Sequence, residues 1–173
     1  MFSETASAGG HPLTSTITVA RADLGAEVSR ALIDALNEEL SGLYPEAGAT
    51  HFRLDPEDVA GARGAFLVVS RNGVPVGCGA VRRLDTDTAE LKRMYVAPTA
   101  RREGLGRRLL AALEAEARAL GFRHLVLETG VRQTAALALY EDTGFRPIPL
   151  YGEYRLSSDT SICLGKDLLP PGP

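Results

Sequence analysis

Apolar residues recur along this chain with two periods, and the switches between them outline the elements. "ITVA" at residue 17 has the apolar, β-branched character of a short strand, and then Val28, Leu32, Leu36, Leu40 and Leu43 return every three to four residues. That spacing is the stripe of an amphipathic helix, with Asp23 placed to cap its start and "LYPEAG" to end it. Residues 45–64 mix Pro, Gly and polar groups and predict a loop, with "DPEDV" as one short helical turn. "GAFLVVSRNGVPVGCGAVRRL" holds two β-rich runs around Asn72 and Gly73, a pair that favours the left-handed torsions of a tight hairpin. "DTDT" predicts a second turn, and "AELKRMYVAP" a third strand closed by Pro98. Strict alternation would put Leu91 and Tyr95 on one face, yet Met94 and Val96 are apolar too. Either the strand is buried on both sides, or a bulge near Arg93 resets its phase.

The second half of the chain changes period again. Leu105, Leu109, Leu113, Ala117 and Leu120 form a helical stripe, with Glu114, Glu116 and Arg118 off it and Gly121 placed to stop it. "RHLVLETG" predicts a strand and "TAALALYEDTGF" a helix ended by Gly144, with a last pair of strands around "FRPIPLY" and "TSICLGKDL". An antiparallel meander followed by strand, helix, strand gives a mixed sheet with helices on its faces, α/β or, more strictly, α+β. Residues 1–15 lack any apolar period and are expected to be a disordered lead, 16–168 a single domain, and 169–173 a tail.

Composition narrows the function classes. The 173 residues carry a formal net charge of −3, without the basic excess of a nucleic-acid binder. No apolar run approaches the roughly 18 to 20 residues of a membrane span, and the start lacks the basic and apolar regions of an export signal, so a cytoplasmic location is expected. Cys78 and Cys163 sit in apolar strand-like stretches and are read as buried free thiols, and His11, His51 and His124 are too scattered for a metal site.

The chemistry concentrates in "RREGLGRRLL", where Gly104 and Gly106 stand among Arg101, Arg102, Arg107 and Arg108 at the mouth of the predicted helix. The first amides of a helix have no internal acceptors and carry the positive end of its dipole, so they can hold phosphate, and glycine lets a ligand approach the main chain. Neither common phosphate loop is matched. A Gly-Lys-Ser/Thr ending is missing, and Leu109 stands where a dinucleotide fingerprint needs its third glycine. A structural turn with a basic fringe remains the alternative at this point.

"LKRMYVAPTARREGLGRRLLAALEAEARALG", with "LVLETG" and "ALALYEDTGF" after it, resembles the GCN5-related N-acetyltransferase (GNAT) superfamily from about Ala65 to Pro147. The resemblance implies a mostly antiparallel sheet of about six to seven strands with about four helices. It also implies acetyl-CoA as co-substrate. The coenzyme diphosphate would lie on the loop of Arg101, Arg102, Glu103, Gly104, Leu105 and Gly106, with Arg107 next in line. Main-chain groups of Met94, Tyr95 and Val96 would pair with pantetheine, and Gln133 stands where many members have Asn. Tyr140 would be the general acid for the departing thiolate, its other reading being a core tyrosine. Glu90 precedes Arg101 by the interval of the catalytic glutamate in some members and is the candidate base, with ordered water as the substitute. Its other reading is a solvated strand-edge carboxylate paired with Lys92 or Arg93. For the acceptor, Glu38, Glu39, Tyr44 and Glu46 fall in the region that roofs the cleft in relatives, and Tyr151, Glu153 and Tyr154 in the region that closes its other side. The implied activity is direct acetyl transfer to a primary amine of a small molecule or an exposed amino group in a ternary complex. No metal, nucleic acid or membrane is implied, and a homodimer stays open. A non-catalytic coenzyme A sensor and a dinucleotide-binding domain are the competing readings.

Overall fold

The computed structural model describes residues 14–46 and 53–168, so residues 1–13 of the expected lead, the middle of the loop after the first helix and the tail lie outside the described residues. Strands β1 (Ile17–Arg21), β2 (Gly64–Arg71), β3 (Val74–Arg83), β4 (Thr88–Val96), β5 (His124–Gly130), β6 (Arg146–Ile148) and β7 (Ser161–Asp167) form one sheet in the order β1-β2-β3-β4-β5-β7-β6. β4 and β5 run parallel, while every other neighbouring pair is antiparallel. The helices are α1 (Glu27–Leu43), α2 (Leu105–Ala119) and α3 (Thr134–Asp142). The α/β class is as expected, but three α-helices replace the expected four among the described residues. The Pro- and Gly-bearing connections make only 3-10 turns, among them Pro56–Val59 in the "DPEDV" stretch.

The sheet separates two apolar layers. On one face Leu105, Leu109, Leu113 and Ala117 of α2 pack against Val69, Val81, Leu125 and Leu127, and α3 adds Tyr140. On the other face Leu32 and Leu36 of α1 cover Phe66, Cys78 and Ala80. Val28 and Leu43, counted in the α1 stripe, are 45% and 38% exposed because they flank its buried line, and Ser29 is buried instead. Asp23 does not cap α1. Ala26 holds that position, and Asp23 shapes the approach, its carboxylate accepting from the Gly25 amide and its carbonyl from the Ser29 hydroxyl. Glu114, placed off the α2 stripe by pattern, is buried because Lys166 reaches it from β7 at 2.8 Å and Arg118 flanks it.

The β4 irregularity positions the site. Cys78 pairs with Tyr95 and Ala80 with Lys92, so Arg93 and Met94 stand opposite the single Gly79, and Arg93 adopts φ +56°. This is a bulge. Glu90, Lys92 and, beyond the bulge, Tyr95 face α1, whereas Ala89, Leu91, Met94 and Val96 face α2. Leu91 and Tyr95 therefore lie on opposite faces, the reverse of strict alternation. Gly79 permits the arrangement, since a Cβ there would come within 2.7 Å of Leu113 and 2.9 Å of the Met94 sulfur. Parallel pairing of β4 with β5 ends at Leu91 and Leu127, and beyond it the strands splay.

Candidate active site

The splay opens a cleft of about 890 Å³ between the end of β4 and the starts of α2 and α3. Its floor is the Met94–Val96 stretch, whose β5 side has no strand partner. At one end, Gly104 (φ +77°) precedes α2 without any capping side chain, and the amides of Leu105, Gly106 and Arg107 find no acceptor among the described residues. Arg102 before it is held at φ +65°, an uncommon conformation for a side-chain-bearing residue. Nothing lies within 4 Å of a Cβ built at Gly104, and one at Gly106 would meet Leu139 at 3.4 Å and Val96 at 4.0 Å. Crowding does not demand glycine at either site, although the left-handed backbone favours it at Gly104. Unpaired helix-start amides, Arg102 and Arg107 along the cleft, and space that side chains would fill together fit a diphosphate.

Not every residue of the loop points there. Arg101 donates to the Val96 carbonyl at 2.8 Å and to Glu39 of α1 at 2.5 Å, which ties the loop to α1 along the cleft wall. Glu103 is drawn off the cleft by an ion pair with Arg71. Arg107 borders the cleft with Asp142 at 3.6 Å.

On the α1 side of the same splay lies a narrower cavity of about 100 Å³, walled by Lys92, Arg93, Glu128, Tyr154 and Ser161, with Tyr44 at its edge. Glu90 does not line it. Its carboxylate is fully buried and already accepts from Arg82 Nε at 2.7 Å, Tyr151 Oη at 2.9 Å and Tyr154 Oη at 2.6 Å. The strand-edge reading of Glu90 fails on this burial, and its cation partner is Arg82. Tyr154 stands between Glu90 and the cavity and also receives a hydrogen bond from Lys92 Nζ at 3.2 Å. Burial, with Glu90 beside them, pushes the Tyr151 and Tyr154 hydroxyls far above their usual pKa, so both stay protonated donors. Burial lowers the Lys92 ammonium, opposed by Glu90. Glu128, from β5, accepts from Ser161 Oγ at 2.6 Å, and desolvation raises its carboxyl pKa against that bond and the Lys92 charge.

Both cavities reach Leu36, Met94, Gln133 and Tyr140, which form the wall between them. The Tyr140 ring packs edge-on against Phe145 at 5.6 Å, its hydroxyl has no hydrogen-bond partner among the described residues, and burial pushes its pKa up. Tyr44 is buried at the end of α1, its hydroxyl accepting from the Arg132 amide at 2.8 Å. Glu46 pairs with the Arg132 guanidinium, which also stacks on Tyr44. The structure leaves Glu38 on the exposed surface and Glu39 on the wide cleft, so neither meets the narrower cavity.

Sequence reasoning passed over Glu128 and treated Lys92 and Arg93 only as surface partners. The signal was present in a charged residue between apolar ones in "LVLETG" and two in "ELKRMYV". A lone charge inside a strand becomes informative only when the neighbouring strand is known. Both cysteines are buried and free, and burial pushes the Cys78 thiol up to about 12.

Comparison with known proteins agrees with this geometry. The Acetyltransferase (GNAT) family profile matches residues 29–145. The chain is 44% identical over 140 residues to an IAA acetyltransferase of Azospirillum brasilense, covering 80% of this chain and 90% of the relative. A Klebsiella pneumoniae structure assigned as an acyl-CoA N-acyltransferase superposes with TM-score 0.75 at 32% identity, covering 88% of this chain and 98% of that one. A GNAT acetyltransferase from Elizabethkingia anophelis with acetyl-CoA bound shares the fold, with TM-score 0.63 at 21% identity over 87% and 97% of the two chains. With the profile spanning most of the chain, this protein belongs to the GNAT family and is an N-acetyltransferase.

Proposed function

We propose that the protein transfers the acetyl group of acetyl-CoA to a primary amine of a small molecule or an exposed amino group, by direct attack with both substrates bound. The carrying observation is the shared wall of Met94, Gln133 and Tyr140, which lets a ligand in the wide cleft meet one in the narrow cavity. Arg102, Arg107 and the first amides of α2 would hold the diphosphate, and the open edge of Met94–Val96 would pair with the pantetheine arm. A β4 amide directed at the thioester carbonyl would stabilise its developing negative charge.

In the net reaction the amine nitrogen bonds to the acetyl carbon, the carbon–sulfur bond breaks, and an ammonium acceptor gives up two protons. One proton ends on the coenzyme sulfur and the other leaves the site. Tyr140, protonated and facing both ligands, supplies the sulfur's proton. On the acceptor side Glu128 borders the cavity directly, while Glu90 is reached through the Tyr154 hydroxyl, so a proton taken by Tyr154 would be matched by one handed to Glu90. The net charge of −3 favours a small-molecule acceptor over a nucleic-acid partner.

Replacing Tyr140 by Phe is expected to lower kcat by about 100-fold with acetyl-CoA affinity unchanged. Calorimetry and thiol release measure the two quantities. Wild-type turnover in that variant would remove the acid role. Tight acetyl-CoA binding with no thiol release from any amine would leave the protein a coenzyme A sensor.

A further inference from the structure

We infer that the acceptor is a zwitterion of amino-acid type, its ammonium placed at Glu128 and its carboxylate at Lys92 and Arg93. This rests on the transferase reading and names the substrate class of the same site.

The cavity is dipolar. Its β4 wall includes Lys92 and Arg93, and its β5 wall includes Glu128. Glu128 and Tyr140 line the same cavity, and Tyr140 also borders the coenzyme cleft. An amine drawn to Glu128 would share that cavity with Tyr140, on the wall toward the thioester. The cationic end faces Tyr154, with Lys92 Nζ 3.2 Å from its hydroxyl, and Arg93 reaches Asn37 at 3.3 Å.

A simple amine has no use for the cationic end, and an ammonium would be repelled there. Glu90 is engaged by Arg82, which also meets Asp58 at 3.5 Å, and it is screened from the cavity by Tyr154. Glu153 approaches Lys92 at 3.7 Å from a half-exposed, solvent-screened position. Lys92 itself is only 7% exposed, and an ammonium held that deep loses hydration, which a ligand carboxylate in the same cavity would offset. A ligand with one charge of each sign, a few bonds apart, matches both walls at once.

The test uses matched sets of acceptors: glycine, serine, methionine and phenylalanine, each beside its carboxamide and its decarboxylated amine, with thiol release giving kcat and KM. At least one amino acid is expected to exceed its carboxamide and amine by about tenfold or more in kcat/KM. Lys92→Met is expected to erase that preference through KM for the amino acid, and Lys92→Arg to restore it. Glu128→Gln should depress kcat/KM for every member of a set. Acetyl-CoA binding by calorimetry reports whether each variant is folded. Equal use of amino acid and carboxamide by the wild type, or a preference unchanged in a folded Lys92→Met variant, overturns the inference. Acetylation of other amines but of no amino acid overturns it too, while the transferase reading stands. Thiol release from no amine at all would overturn both.

Discussion

The wide cleft and the narrow cavity meet at Tyr140 but are built on opposite principles. The cleft, walled by α1 and α3, offers backbone along its floor and at one end: the open edge of Met94–Val96, the left-handed Arg102 and Gly104, and the unpaired amides at the start of α2 all come from one continuous stretch of about a dozen residues. The cavity is made of side chains drawn from α1, β4, β5 and the segment around Tyr154, held by buried charges. A ligand site made of backbone survives substitution at most of its positions and fails at glycine. One made of buried charges depends on each partner being answered by another.

That contrast can be broken from either side. Arg82→Ala strands the fully buried Glu90 carboxylate and is expected to cost about 3 kcal/mol of folding stability, read by urea denaturation. Acceptor KM should rise with it while acetyl-CoA affinity holds, and an equal loss at both ligands would mean that the two regions are not separately built. Gly104→Val forces a β-branched residue to φ +77° and fills the approach to the α2 amides. Acetyl-CoA Kd is expected to rise about 100-fold, near 2.7 kcal/mol, with acceptor KM little changed. Calorimetry checks the first, steady-state kinetics the second, and an unaltered Kd would remove the loop from diphosphate binding. The smallest effect belongs to the seam. Glu39→Gln releases Arg101 from α1, and because the pair is largely solvated the stability cost should stay below about 1 kcal/mol. Acetyl-CoA affinity is expected to improve by about two- to threefold at low salt and to lose that gain at high salt.

Legibility in the sequence divides along the same line. The signature around Gly104 and Gly106, the Asn72-Gly73 hairpin (φ +52° and +79°) and the α2 stripe are local, because torsions, helix period and a run of amides are properties of neighbours in the chain. The broken alternation in "AELKRMYVAP" left two readings open, and both hold: Ala89 to Lys92 are buried on both faces, and the phase resets at a bulge set by a partner far away, Gly79 on β3. Pattern likewise put Val28 and Leu43 on the buried stripe of α1 and Glu114 off that of α2, since periodicity names a face but not the width that the sheet or Lys166 covers.

From its sequence alone this chain determined an α/β sheet and a helix start suited to phosphate, carried by short-range spacing, while its family resemblance pointed to the tyrosine beside that start. Tertiary structure alone decided that Glu90 is sealed behind Tyr151 and Tyr154, that Glu39 answers Arg101, and that Glu128 shares a cavity with Lys92. The physical reason is that a charge acquires its role from whatever desolvates and faces it, and here those groups lie as far as 64 residues apart in the chain.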